Sequence, residues 1–175
     1  AMAPPSRFDE SPFLGFQREF NRFAEHPSQS ISLDNFEDFG QPDFQGWFVA
    51  GDAFGESPVG VIPWIPAVLP QPLKDGPTHW LFARRRADSG TLARTLRGTL
   101  RSGTFPIERK YVLYKIAGVG ARLNLIVDGF QLIRAPIYGG LSISPNTPED
   151  GRQAQWFVQD VSKWIGHNAY IELID

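Results

Sequence analysis

The chain has 175 residues, 42% of them hydrophobic and 21% charged, with a formal net charge of -2 and no cysteine. That length suits a single domain with a sizeable core, and the composition excludes wholesale disorder. The charge leaves no footprint of a nucleic-acid binder beyond Arg84-Arg85-Arg86, and the missing cysteine removes disulfides, thiolate metal sites, thiol nucleophiles and covalent haem attachment.

Residues 1–10 read as a flexible lead-in, with Ala1-Met2 a cloning remnant and no signal-peptide pattern. Ser11-Pro12 then supplies a capping hydroxyl and a proline at the first helical position. Phe13, Phe16, Phe20 and Phe23 follow at spacings of three and four, which predicts a helix over 11–27 laid by its Phe stripe on a larger body. A partner-binding helix is the alternative. His26-Pro27 ends the pattern.

From residue 28 the signals are those of strands. Ile31, Leu33, Asn35 and Glu37 share one face of a period-two pattern, and Gly46-Trp47-Phe48-Val49 reads as a second strand. Prolines 58, 63, 66, 70, 72 and 77, with Trp64 among them, are too dense for a ladder and predict a long ordered loop. Trp80-Leu81-Phe82-Ala83 is a possible strand, and Ser89 to Arg97 a helical turn or another loop. Thr99 to Ile107 and Tyr111 to Ile116 are strand-like. Leu123, Leu125 and Val127 alternate with Arg122, Asn124 and Asp128 up to Asp128-Gly129. That dipeptide predicts a hairpin with Phe130 to Ile133 as its return strand. Gly118-Val119-Gly120 reads as a tight hairpin turn, because a strand follows it where a dinucleotide loop would open a helix. Pro136 to Pro148 is a loop, and Gln155 to Val161 and Tyr170 to Ile174 are the last strands. Many short strands with frequent turns predict an all-β fold, an antiparallel sandwich over 28–175 with a short N-terminal helix. No apolar run approaches the roughly 20 residues of a membrane helix, so no membrane insertion is expected.

Candidate chemistry is sparse. There is no Gly-x-Ser-x-Gly elbow, and His26, His79 and His167 are scattered. Asp34, Glu37, Asp38, Asp43 and Asp52 offer carboxylates, which on strands are most often a solvated face. A calcium site is the alternative, with Glu37 closing the first strand and Asp175 the last, so that the two converge if those strands are neighbours. Of the five tryptophans, Trp64 sits in a Pro-rich loop and Trp156 on a strand, where core burial and a ligand platform are both open. Sugar sites set aromatic faces against pyranose rings and place a few polar groups on the hydroxyls. Arg134, Tyr138 and His167, all in loops, are of the right type, with Trp64 and Trp156 as platforms.

The order of motifs carries more than any one of them. It runs Asn35-Phe36-Glu37-Asp38, Gly46-Trp47, Gly98-Thr99-Leu100-Arg101-Ser102 with Phe105, and Val127-Asp128-Gly129. Tyr138-Gly139-Gly140, Trp156 with Asp160-Val161-Ser162, Gly166-His167 and Ala169 to Asp175 complete it. The string from Gly98 to Asp175 resembles the galactose-binding-like β-sandwich modules of large planctomycete proteins that carry a c-type cytochrome segment. It is also similar to the C-terminal sandwich of levanase-type glycoside hydrolases. The resemblance implies a non-catalytic, carbohydrate-binding jelly roll that tethers a larger periplasmic or extracellular protein to glycan or polysaccharide. It also implies a structural calcium between Glu37 and Asp175. No Cys-x-x-Cys-His motif is present, so any haem belongs to other parts of such a parent. The expected partners are a glycan and the parent's other domains, the isolated domain being a monomer. The alternative is a structural or docking domain that binds no sugar, and a glycosidase or esterase is the least favoured reading.

Overall fold

The alternating apolar runs of the second half pair across long sequence distances in the computed structural model, which describes residues 34–60, 85–90, 92–132, 135–136, 141–146 and 154–175. The expected helix over 11–27, most of the Pro-rich loop and the possible strand at Trp80 lie outside the described residues.

In chain order the strands are β1 (Trp47–Gly51), β2 (Val59–Gly60), β3 (Arg85–Arg86), β4 (Gly98–Ser102), β5 (Phe105–Pro106) and β6 (Tyr111–Ile116). There follow β7 (Arg122–Val127), β8 (Gln131–Leu132), β9 (Ala135–Pro136), β10 (Ser142–Ile143), β11 (Gln155–Asp160) and β12 (Asn168–Ile174). The main sheet has the order β1-β4-β12-β7-β10, with β5 also on β12, and every pairing is antiparallel. β6 and β11 form a second sheet, paired from Gln155↔Ile116 to Asp160↔Tyr111.

The two sheets face each other. Leu123, Leu125 and Val127 of β7 and Ala169 and Ile171 of β12 are buried against Tyr114 of β6, with Val112, Ile116 and Phe157 packed around them. Period-two alternation puts these residues on one face of each strand, and burying them together is the main favourable contribution to this fold. Tyr114 is enclosed in that core, where burial drives its phenol well above the ordinary range, and its hydroxyl donates to Gln159 Oε1 at 2.9 Å. A smaller cluster of Phe44, Ala53, Phe54 and Leu100 extends the core beneath β1 and β4. The antiparallel sandwich read from the sequence is therefore the fold of the described residues.

Several local expectations change. Residues 34–40 form no strand. Glu37 Oε1 accepts from Phe39 N at 2.6 Å, and Phe39 takes φ 53°, so a side chain captures the backbone that a ladder would need. Asp128 and Gly129 do make a turn with both φ positive (51° and 72°), closed by Phe130 N donating to Val127 O. Its return strand β8 pairs with β9, however, because β12 and β10 already flank β7. Gly118 to Gly120 is likewise no hairpin: it links β6 in one sheet to β7 in the other, with Val119 bridging to Asn146.

The run Thr99 to Ile107 is two strands with a bulge between them. Arg101 pairs with Glu172 and Phe105 with Ala169, so four steps on one side face three on β12. Ser102 Oγ accepts from Ile171 N at 2.9 Å, replacing the ladder bond lost there. The extra residue flips the alternation: Leu100 and Ser102 point into the core before it, Phe105 and Ile107 after it. Thr104 is left exposed at the kink.

Candidate functional site

The bulge sets the geometry of two adjoining pockets that share Thr104. One, of about 330 Å³, lies over the outer face of the main sheet between Arg101, Thr104, Asp128, Gly129, Asn168 and Tyr170. The other, of about 230 Å³, lies between Phe36, Glu37, Trp47 and the Ser102–Phe105 turn.

The first pocket is polar. Strand register places Ser142, Asn124, Glu172, Arg101 and Phe48 in one row across five strands of the outer face. Within that row Ser142 Oγ donates to Asn124 Oδ1 at 2.8 Å. Arg101 rests on the ring of Tyr170, its guanidinium carbon 3.9 Å from the centroid, a cation–π contact that restricts an otherwise flexible side chain. Burial raises the Tyr170 phenol, Arg101 works against that, and Glu172 adds to it. At the far wall His167 Nδ1 lies 2.6 Å from Asp128 Oδ2, while Asp128 Oδ1 accepts from Asn168 N at 3.1 Å. The His167 hydrogen bond holds the Asp128 carboxyl below the usual carboxylate range against the opposing desolvation, with smaller support from the Asn168 amide and the imidazole charge. The pocket thus combines a planar cationic donor, a fixed carboxylate acceptor, an amide and a hydroxyl, the donor and acceptor set that a sugar's hydroxyls match.

The second pocket is aromatic. Phe36 is 51% exposed, with its ring centroid 4.5 Å from that of Phe105 and 6.5 Å from that of Trp47. Glu37 Oε2 accepts from the Trp47 indole Nε1 at 2.8 Å, which fixes that ring, and the Phe39 ring lies against it with centroids 5.2 Å apart.

Of the residues singled out from sequence, His167 stands beside the polar pocket and Glu37 lines the aromatic one. Arg134, Tyr138 and Trp64 lie outside the described residues. Trp156 is half-buried on β11; its neighbour Phe157 points into the core, so Trp156 faces away from the main sheet and from His167. Lys115 stands over its ring at 5.9 Å. Sequence reading missed Arg101, Asp128 and Tyr170. In the sequence Asp128 reads as a turn residue alone, and no local signal places Arg101 opposite the later β12.

The calcium implied by the resemblance does not fit these residues. Both Glu37 oxygens already accept hydrogen bonds, at the Ser102 end of β4. Asp175 exchanges backbone hydrogen bonds with Gly98, at the opposite end. Four residue steps, from Gly98 to Ser102, separate those ends, about 13 Å at the usual rise. Among the described residues no three acids or histidines converge on one point. Comparison of the chain with protein-family models, curated proteins and solved structures gives no match in any of the three.

Proposed function

We propose that this chain is a non-catalytic carbohydrate-binding module that holds a larger protein to glycan or polysaccharide. The observation that carries the reading is the polar pocket at the bulge, where the Arg101–Tyr170 stack and the Asp128–His167 pair hold hydrogen-bonding groups in fixed positions. Open, shallow sites of this kind suit weak and reversible capture, since few ligand groups are desolvated. The motif order from Gly98 to Asp175 supports the same reading, and with it a tethering role outside the cytoplasm.

Titration calorimetry of the whole chain against neutral and acidic polysaccharides tests it. The expected result is binding of at least one polysaccharide, weakened about tenfold or more by Arg101→Ala, the scale of one lost charged hydrogen bond. Flat heats across the panel contradict the reading, as does turnover of chromogenic glycosides or esters.

A second reading has its own observation. On β1, at the end of the main sheet, Phe48 is 67% exposed and Val49 41%. An exposed Phe48 on the outer face of an edge strand suits docking of a neighbouring domain of the parent. Under that reading Phe48→Ser abolishes domain association and no polysaccharide binds.

A further inference from the structure

The two pockets lie on either side of one residue, Thr104, and differ in chemistry: one is lined by charged and amide groups, the other by three aromatic rings. We infer that they are successive subsites for one neutral oligosaccharide, so that the module selects chains of two or more rings. This inference rests on the carbohydrate reading of the polar pocket and extends it to ligand class.

Size supports the assignment. The pockets, about 330 and 230 Å³, lie just above and below the lower end of ordinary small-molecule sites, about 300 Å³, and each has room for one ring rather than a chain. The bulge leaves Thr104 exposed on the shared rim, so a chain leaving the polar pocket crosses it and meets Phe36. Phe36 offers a half-exposed aromatic face, while the Glu37 bond to Trp47 holds the inner wall rigid. An aromatic face against the apolar side of a pyranose complements the polar pocket, whose own ring, Tyr170, is buried and already stacked by Arg101. Charge favours a neutral ligand. Glu37 and Asp128 place one carboxylate in each pocket, against the single guanidinium of Arg101 among the described lining residues. A uronic or sulfated chain would meet like charge at both subsites.

The test uses a ladder of neutral gluco-, manno- and galacto-configured oligosaccharides of one to six rings, with uronic chains of the same lengths beside them, followed by NMR of the whole chain. The Trp47 indole N–H, hydrogen-bonded to Glu37, reports on the aromatic pocket, and the Asn168 amide on the polar one. The expected result is that single sugars shift Asn168 alone, while two or more rings shift Trp47 as well. Phe36→Ala should weaken chains about fivefold to tenfold, the worth of one ring stack, and leave single sugars unchanged. If Asn168 responds at every length and Trp47 at none, the subsite inference fails and the carbohydrate reading stands. If acidic chains bind tighter than neutral ones, the ligand class is wrong. If neither reporter moves with any sugar, both fall.

Discussion

Glu37 does two things at once. One oxygen ties down Phe39 N and the other the Trp47 indole, so a single carboxylate both ends the extended run and sets a wall of the aromatic pocket. Glu37→Ala should leave two partly buried donors without partners and cost about 1–3 kcal/mol in denaturant unfolding. A loss near zero would mean that water replaces the carboxylate. At the other pocket, His167→Ala should return the Asp128 carboxyl towards its ordinary value of about 4. Because the folded-state value lies below the unfolded one, the pair's contribution to stability is present above that pH and disappears as the pH falls through the folded value. The wild type should therefore lose melting temperature more steeply than His167→Ala below about pH 4, and parallel curves would contradict the coupling. The roles of these residues were only partly legible. Glu37 and His167 could be nominated by residue type, but their partners lie 10 and 39 positions away. Asp128 satisfied a turn signal so well that nothing in the sequence asked more of it.

At the scale of elements, periodicity predicted most where strands are buried on one face. β6, β7, β11 and β12 fall where alternation put them, within a residue or two, because each lays its apolar side on the same core. It predicted least where a side chain or a partner strand overrides local preference. The Asp128-Gly129 turn formed without its hairpin, and Thr99 to Ile107 concealed a bulge that only the pairing with β12 reveals. The loop expected from Pro58 onward gives way at its start, where Val59 and Gly60 pair with Arg86 and Arg85, because the prolines at 58 and 63 leave these two backbones free to pair; residues 61–77 lie outside the described residues. The junction of β1 and β4 allows a direct check. Gly51 has φ 76°, and a Cβ there would stand 2.5 Å from Arg97 O. Gly51→Ala combines a left-handed backbone with a backbone clash, so a loss of about 2 kcal/mol or more is expected in thermal or denaturant unfolding. An unchanged midpoint would show that β1 ends differently.

Among the described residues the molecule is two facing antiparallel layers, with both pockets at the bulge and with Glu37 and Asp175 at opposite ends of β4, too far apart to share one ion. Chelator should accordingly leave the melting temperature unchanged, since only a ligand of the folded state raises it. A fall of several degrees would restore a calcium site. The most direct measurement concerns the groove itself. Thr104 is exposed and shared by both pockets, so Thr104→Trp fills the path between them without entering the core. Affinity electrophoresis in gels containing the polysaccharide that calorimetry selects, run beside wild type, should show retardation abolished for the variant while its melting temperature is retained. Retardation equal to wild type would place the ligand elsewhere and contradict the account.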